Sequence, residues 1–306
     1  MSALIDHILL LGYGSASRPE EVSPFLSRIA AERHIPAERM TEVAKHYEAI
    51  GGVSPYGAEV LGFARALEAR LAERGTPVPV FTGMKYSEPL IEETVQEIRR
   101  ADHRTGLGVV LAPHRSHASF ESYVHRLEDV LKLMGASEIR YRFVSPWHAH
   151  PLFIRANADV LTKTAQSLSG HGWQDLPVIF SVHSVPLAMP GASRYEQDAR
   201  ESAEKIAAEC GLSDWQMMYQ SRSSGSGQTW LGPDPSAVLM RLAAEGRKSA
   251  IVVPLGFLCE NAEILYDLDI EMKSHAAAQG IKIVRCGTVM LNPHFLELFC
   301  ELCTPS

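Results

Sequence analysis

The sequence has no long hydrophobic run and no secretion-like start. No apolar stretch approaches the roughly 20 residues that a transmembrane helix needs, so we predict no membrane span. Near the N-terminus, Asp6 and His7 lie beside a short apolar run, where a signal peptide would have a basic start and a small-residue cleavage site. We therefore expect a cytoplasmic protein.

Positive charge is also in short supply. The 306 residues include 29 Lys and Arg against 36 Asp and Glu, which gives a formal net charge of −7. Proteins that bind nucleic acid through its phosphates need a basic surface, so the composition argues against nucleic acid as a main partner. The remaining composition, 46% hydrophobic and 21% charged, is typical of a globular enzyme, and the length suffices for two domains.

Cysteines are few, and their spacing predicts no disulfide framework. The five are Cys210, Cys259, Cys286, Cys300 and Cys303, an odd number without a regular pattern. The C-x-x-C pair at 300 and 303 could supply two ligands to an iron–sulfur cluster. Because the other cysteines are single and scattered, we expect ordinary reduced thiols and no cluster.

Strand-like and helix-like segments alternate along the chain. Eight short runs with strand character, beginning with 8–11, are separated by helical patterns. Such alternation predicts parallel sheets with helices on both faces. We predict an α/β fold of two similar Rossmann-like domains, 1–145 and 146–306, each built on a four-stranded parallel sheet. The last helix, predicted over 293–303, could pack back on the first domain.

Three carboxylates, Glu263, Asp267 and Glu271, recur at every fourth position near the C-terminal end. On an α-helix each step of four residues drifts by about 40°, so the three form a nearly straight row, which local π geometry would straighten further. Apolar neighbours such as Ile264 and Leu268 indicate a largely buried helix. Burying stacked like charges is costly without a cation, so the row predicts a path for a divalent metal. An exposed acidic face fits the spacing equally well.

His183 ends a second informative stretch. It follows an apolar, strand-like run over 177–182, and ligands of open α/β sheets bind outside the carboxyl ends of the strands. Neutral imidazole is a common metal ligand and a base that works near neutral pH. A histidine alone in this position is more often structural, but together with the acidic row it predicts a metal site.

Tyr13 occupies the corresponding position after the first strand. If the two predicted domains face one another, Tyr13 and His183 could approach a flat ligand from opposite sides. Tyr13 could equally be an aromatic residue at the rim of a site. The surrounding 12–15 (GYGS) lacks the G-x-G-x-x-G fingerprint of dinucleotide-binding folds.

Motifs spread over nearly the whole chain resemble those of the ferrochelatases, in that family's order. They are 50–55 (IGGVSP), 181–186 (SVHSVP), 220–222 (QSR), 230–233 (WLGP), 254–257 (PLGF) and 263–267 (EILYD). The resemblance implies insertion of Fe²⁺, as substrate, into a porphyrin held in a cleft between two Rossmann-like domains. It also implies that His183 and Glu263 form the catalytic metal-binding pair, with Asp267 and Glu271 as an outer acidic path.

Two features resemble the coproporphyrin branch of the family: the segment 12–15, and the lack of a cysteine-rich C-terminal extension. In that branch a tyrosine at this position faces the metal from the other side of the ring. Where some members of that branch have paired arginines after the first helix, this chain has Ala30 and Ala31, with Arg33 nearby. Lys85 and Tyr86 fall where the family lines its porphyrin pocket. The residues expected to bind porphyrin are Tyr13, Ser54, Lys85, Tyr86, Ser122, Tyr123 and Trp230.

The expected activity is therefore that of a coproporphyrin ferrochelatase in haem biosynthesis, with no organic cofactor. The alternatives are a protoporphyrin IX ferrochelatase, a sirohydrochlorin-type chelatase and a haem- or porphyrin-binding protein without turnover. Relatives acting on sirohydrochlorin typically have a histidine where Tyr13 stands, and a carrier has no need of an acidic metal path. We expect a monomer, with a haem-pathway enzyme as a possible partner.

Overall fold

The computed structural model describes residues 5–33, 35–169, 173, 176–222 and 227–304. The chain divides into two compact units. The first takes in the described residues of Met1–Ala112, Ala118–Ser145 and Leu296–Ser306, and the second those of Pro113–His117 and Pro146–Phe295. These units differ from a split into 1–145 and 146–306 at the short segment 113–117 and at the C-terminal segment 296–306.

The first unit contains a four-stranded parallel sheet with the strand order β2-β1-β3-β4. Its strands are β1 (His7–Gly12), β2 (Val80–Met84), β3 (Thr105–Val110) and β4 (Arg140–Phe143). The helices along this part of the chain are α1 (Pro19–Arg33), α2 (Ala37–Ala49), α3 (Tyr56–Glu73), α4 (Ile91–Arg100), the π-helix π1 (His117–Glu121) and α5 (Ser122–Leu133).

The second unit repeats this arrangement with the order β6-β5-β7-β8, again all parallel. Its strands are β5 (Val178–His183), β6 (Trp215–Gln220), β7 (Ser249–Val253) and β8 (Lys282–Arg285). The helices along this part of the chain are α6 (Pro151–Ser169), α7 (Ala192–Cys210), α8 (Pro235–Ala244), the π-helix π2 (Ile264–Met272) and α9 (Lys273–Ala278). The last helix is α10 (Pro293–Cys303), and its residues from Leu296 onward belong to the first unit.

The central strands β1 and β5 are almost entirely buried. Every residue of β1 is buried, including Leu9 and Leu11, and every residue of β5 is buried except the last, His183, which is partly exposed. Strands covered on both faces by helices are expected to be continuously apolar, which explains why both were recognisable as strands in the sequence. The predicted fold class, two four-stranded parallel sheets flanked by helices, is confirmed.

The strand order creates equivalent positions in the two units. In the first, the chain moves from β1 to β2 on one side and then returns to place β3 on the other side of β1. The same reversal occurs around β5 in the second unit. In open α/β sheets, ligands bind at such reversals, outside the carboxyl ends of the strands. Tyr13 directly follows β1, and His183 is the last residue of β5.

Among the described helices, none combines the length and the apolar character that crossing a bilayer requires.

Candidate active site

His183 is held at the carboxyl end of β5 by contacts to its backbone and its ring. The Tyr195 hydroxyl, on α7, donates a hydrogen bond of 2.9 Å to the His183 carbonyl oxygen. The ring nitrogen Nδ1 lies 2.5 Å from the carbonyl oxygen of Ser184, which can only accept. Nδ1 therefore carries the proton of the neutral ring, and the lone pair is on Nε2, which is the nitrogen available to a metal or a proton.

The free nitrogen of His183 faces a carboxylate. Its Nε2 lies 3.9 Å from Oε2 of Glu263, and both side chains are partly open, with 41% and 48% of their surface exposed. This separation is too long for a hydrogen bond. It is close to the spacing of two ligands on one metal ion, so the pair can share a cation without a large rearrangement.

Glu263 immediately precedes π2, which carries the rest of the acidic row. Asp267 lies partly buried on this helix, whereas Glu271 is exposed. The hydroxyl of Ser221 donates a short hydrogen bond to Oδ2 of Asp267. Ser221 has a left-handed backbone, with φ of 62°, directly after β6. That conformation is uncommon for serine, and it accompanies the hydroxyl's contact with the acidic row.

The electrostatics of the row are unfavourable for its central carboxylate. Burial raises the pKa of Asp267 to about 6. The hydrogen bond from Ser221 and the nearby His183 lower it in part, while Glu263 and Glu271 raise it further. Burial of the charged form is the main cause, and repulsion from the neighbouring carboxylates adds to it. A divalent cation beside the row would relieve both the burial cost and the repulsion.

The other acidic residues of this region are neutralised by cations. The Arg285 guanidinium lies 2.9 Å from Glu260 and 2.7 Å from Asp269, and Lys273 lies 2.5 Å from Asp269. Within the part of the chain that the structure describes, no lysine or arginine forms an ion pair with Glu263, Asp267 or Glu271. The row can therefore take up an external cation, whereas Glu260 and Asp269 are already neutralised by Arg285 and Lys273.

Trp230 belongs to a segment fastened next to His183. It pairs in antiparallel fashion with Pro186. The backbone N–H of Leu187 donates to Thr229, and that of Leu231 donates to Val185. Trp230 is partly exposed.

In the first unit, Tyr13 lies within a cluster of aromatic and cationic side chains. Its ring is 4.8 Å from that of Tyr86, and the Arg33 guanidinium lies over its face at 5.6 Å from the ring centre. The hydroxyl of Tyr56 accepts a hydrogen bond from the Tyr13 backbone N–H at 3.1 Å. That hydroxyl also occupies the place where a side chain at position 12 would lie, so Gly12 makes room for it.

The remaining predicted residues of this unit are largely buried. The Lys85 ammonium pairs with Glu32 at 2.6 Å, and burial raises the pKa of Tyr123 well above its ordinary value. Ser54 is buried and donates its backbone N–H to Ala16. Ser122 is half-buried, and its hydroxyl donates to the carbonyl of residue 118. Lys85 and Ser122 thus already have partners within the protein.

Four neighbours of the predicted residues were not anticipated: Tyr195, Ser221, Tyr56 and Arg33 in these particular contacts. Ser221 follows a predicted strand, but nothing in its sequence context indicates the backbone turn that directs its hydroxyl to Asp267. Tyr56 could have been suspected from Gly12, because a glycine at the end of a buried strand often marks a close approach of another group.

Comparison with known proteins supports one family throughout. The family model described as ferrochelatase matches residues 6–306. A ferrochelatase of Rhodopirellula baltica is 30% identical over 298 residues, covering 97% of this chain and 85% of the relative. The coproporphyrin III ferrochelatase of Mycobacterium leprae is 32% identical over 302 residues, covering 98% of this chain and 88% of the relative. Its counterpart in Mycobacterium tuberculosis is 33% identical over 296 residues, covering 96% and 83%.

Solved structures share the fold at much lower identity. SirB from Bacillus subtilis with Fe³⁺ has a TM-score of 0.63 at 12% identity, covering 97% of this chain and 94% of that one. CbiX, described as the terminal enzyme of sirohaem biosynthesis in denitrifying bacteria, has a TM-score of 0.55 at 15% identity, covering 97% of both chains. At such identities the likeness establishes the two-domain fold alone.

Proposed function

The chain belongs to the ferrochelatase family and is a metal chelatase, and from this premise we propose that it inserts Fe²⁺ into coproporphyrin III during haem biosynthesis. Support for this substrate comes from the mycobacterial relatives named coproporphyrin III ferrochelatase, which are 32–33% identical over nearly the full chain. Protoporphyrin IX is the alternative ring within the same reaction.

The observation that carries this proposal is Nε2 of His183 facing an acidic row that no lysine or arginine neutralises among the described residues. We propose that His183 and Glu263 hold the iron that is about to be transferred. Asp267 and Glu271 would supply iron to this pair or carry protons away from it. Oxygen ligands bind divalent ions loosely, and one imidazole shifts the preference toward iron-like metals. Loose binding is needed because the ion must leave for the ring.

The proton chemistry follows from the same pair. A free-base porphyrin loses two pyrrole protons when it takes up a divalent metal. Nε2 of His183 carries the free lone pair, so it can accept one of these protons or bind the iron, but not both at once. Binding the ring in a bent shape would favour the geometry of the transition state.

For the porphyrin itself, we propose contacts from Tyr13, Ser54, Lys85, Tyr86, Ser122, Tyr123 and Trp230. Lys85 is already paired with Glu32, so its charge is only partly available to a propionate. Arg33 lies over Tyr13 and is exposed. We therefore propose that Arg33 takes over part of the role that paired arginines would have at Ala30 and Ala31.

Arg33→Gln is expected to raise the KM for coproporphyrin III by about ten- to hundredfold with a smaller change in kcat, because a charged hydrogen bond to a carboxylate contributes about 1.5–3 kcal/mol. The matched control is Arg39→Gln, which removes an arginine on α2 that pairs with Glu42 of the same helix. An equal change in KM for both variants would rule out a specific propionate contact at Arg33.

Several finer features belong to the same proposal. We infer a cytoplasmic protein that needs neither an organic cofactor nor an iron–sulfur cluster, acts as a monomer and can pass its product to another haem-pathway enzyme. Cys300 and Cys303 are both buried on α10, and burial raises the pKa of the Cys303 thiol to about 12, which disfavours the thiolate that a cluster requires.

The direct test is to mix the protein anaerobically with Fe²⁺ and each of three tetrapyrroles, coproporphyrin III, protoporphyrin IX and sirohydrochlorin, and to follow the absorption spectrum. The proposal predicts conversion of the free-base spectrum over many turnovers, with the highest kcat/KM for coproporphyrin III. Faster conversion of protoporphyrin IX would make protoporphyrin IX the substrate in place of coproporphyrin III. Faster conversion of sirohydrochlorin would overturn the proposed function. A free-base spectrum that never changes would indicate a carrier.

A further inference from the structure

A second group of metal-binding side chains lies in the first unit, away from the residues described above. Asp6 precedes β1, His7 is its first residue, and His103 lies in the loop between α4 and β3. Each offers a ligand atom, and the three atoms lie within 4.8 Å of one another. Tyr13 follows the opposite end of β1, about 20 Å away for a strand of this length.

We propose that Asp6, His7 and His103 bind a divalent transition metal such as Zn²⁺, through two imidazoles and one carboxylate. The nitrogens that face the carboxylate are Nδ1 of both histidines, at 2.6 Å from Asp6 Oδ1 for His7 and at 3.7 Å for His103. Ligands on a tetrahedral zinc with bonds of 2.0–2.1 Å lie about 3.3 Å apart, so the distances from Asp6 Oδ1 to the two nitrogens need to change by about 0.7 Å for His7 and about 0.4 Å for His103.

The ligands are fixed by a second layer of contacts, as metal ligands in proteins generally are. The other oxygen of Asp6, Oδ2, accepts backbone hydrogen bonds from Arg104 at 2.7 Å and Thr105 at 3.1 Å. Nε2 of His7 lies 2.8 Å from the hydroxyl of Tyr141. Oδ1 of Asp6 can only accept, so Nδ1 of His7 carries the hydrogen while no metal is bound. A metal bound at Nδ1 requires this hydrogen on Nε2 instead, where the hydroxyl oxygen of Tyr141 can accept it.

A hydrogen-bonded trio of Asp6, His7 and Tyr141 explains only part of this arrangement. His103 contributes no hydrogen bond to it, since 3.7 Å from Asp6 is too long. Instead its ring is packed at 5.8 Å from Phe81 and 5.5 Å from His7, which keeps Nδ1 beside the carboxylate. A metal bound between the three side chains gives that nitrogen a partner.

The charges around the group suit a cation. The Asp6 carboxylate accepts hydrogen bonds from the His7 side chain and from the backbone N–H groups of Arg104 and Thr105, and these contacts favour its charged form. Arg104, the nearby cation, is paired with Asp102 and Glu138. Asp6 and His103 are partly exposed, at 37% and 23%, which leaves a route for the ion. Such a metal would fasten the start of β1 to the loop that enters β3.

The experiment uses the full chain carrying His183→Ala, so that the transfer pair contributes less to binding. Zn²⁺ alone is added, and bound zinc per chain is measured at equilibrium by dialysis. His103→Phe removes the ligand nitrogen and keeps an aromatic ring against Phe81. His275→Phe makes the same change at an exposed histidine of α9 and is the control.

We expect His103→Phe to lose one equivalent of bound zinc, or to bind it at least tenfold more weakly, and to lose the zinc-dependent rise in melting temperature. The His275→Phe control should keep both. Zinc binding that is equal in the two variants would overturn the proposal, and so would a parent that binds no zinc outside the acidic row. If His103→Phe does not fold, His103→Gln is measured in its place.

Discussion

Asp267 is the partly buried member of the acidic row, and its carboxyl group is held in an unfavourable environment. Its pKa of about 6 compares with 3.8 for an unperturbed aspartate. The folded protein therefore binds a proton at Asp267 more readily than the unfolded chain does, and stability falls as pH rises from about 4 to 6. Above pH 6 the cost is complete, and the shift corresponds to at most about 3 kcal/mol.

Asp267→Asn should therefore stabilise the protein by about 1–3 kcal/mol at pH 8, because it removes a buried charge while keeping an acceptor for Ser221. The gain should shrink as the pH falls below about 6 and approach zero below about pH 3, where the aspartate is largely protonated in both states. The rate of metal insertion should fall at the same time. Urea unfolding at both pH values, together with the absorption assay, measures the two effects.

The matched control is Asp269→Asn, on the same helix. Hydrogen bonds and charges from Arg285 and Lys273 outweigh burial and hold the pKa of Asp269 below its ordinary value, so loss of this charge should destabilise the protein at pH 8. If both asparagine variants change the free energy of unfolding in the same direction, the uncompensated charge at Asp267 is not what distinguishes the row.

At this scale the sequence indicated which residues could matter better than it indicated their contacts. Glu263 and His183 were identified from a four-residue spacing and a strand end, and the structure brings their side chains to 3.9 Å. The roles assigned to them stay predictions. Ser221 could not have been linked to Asp267, because the two residues are 46 positions apart in the sequence and only the fold brings them together.

The segment that follows β7 packs closely against the backbone of β5. The backbone N–H of Gly256 donates to Ser181, and a Cβ at position 256 would lie 3.0 Å from Cα of Val182. Val182 immediately precedes His183, so any displacement of the strand is passed to the imidazole.

Gly256→Ala should therefore cost about 1–3 kcal/mol of stability and should also slow metal insertion, because backbone atoms must move to admit the methyl group. Gly287→Ala is the control, since a Cβ added at position 287 would meet no described atom within 4 Å beyond its chain neighbours. Its effect on unfolding should stay within about 0.5 kcal/mol. Similar losses in the two variants would show that the approach to Val182 is not tight.

The elements themselves were predictable to the extent that their residues follow a simple period. β1 and β5 are continuous apolar runs and were recognised, whereas the first half of β3 contains Gly106 and Gly108 and lacks such a run. Those glycines make room for the rings of Tyr141 and Phe143 on the neighbouring β4. A glycine that is required by a side chain on the neighbouring strand cannot be explained until the pairing of the strands is known.

The acidic helix illustrates a different limit. Its three carboxylates suggested that π geometry would straighten the row, and the helix is a π-helix over Ile264–Met272. The amino-acid pattern alone fits an α-helix equally well. In the fold, Ser221 contacts Asp267 of this helix and Leu268 packs into a buried apolar cluster, and the sequence reveals neither contact.

At the scale of the whole chain, the last residues complete the core of the first unit. Leu296–Ser306 belongs to that unit, and the Phe299 ring packs edge-to-face on Phe63 at 5.1 Å. Phe299 is fully buried. The sequence predicted a helix here and the possibility that it packs back on the first domain, but it could not show which side chains would meet.

Phe299→Ala should destabilise the protein by about 3–5 kcal/mol, because a buried ring is lost and a cavity remains. Leu291→Ala, at a side chain that is 73% exposed, should change stability by no more than about 0.5 kcal/mol. Thermal and urea unfolding of both variants provide the measurement. A small effect at Phe299 would mean that the C-terminal segment contributes little to the core.

The overall architecture was the most predictable feature, because alternating strands and helices leave few arrangements of a parallel sheet. The order of strands in each sheet, β2-β1-β3-β4 and β6-β5-β7-β8, was not predicted. It explains why Tyr13 and His183 occupy equivalent positions at the carboxyl ends of central strands.

The central claim is that the chain transfers iron from His183 to a porphyrin. Its most direct test compares the parent protein with His183→Ala in two measurements, porphyrin affinity and the single-turnover rate of iron insertion, with folding checked by circular dichroism. We predict that the porphyrin Kd changes by less than about threefold while insertion slows by at least about 10²-fold, the usual contribution of a positioned base. An insertion rate within about tenfold of the parent, in a folded variant, would contradict the claim.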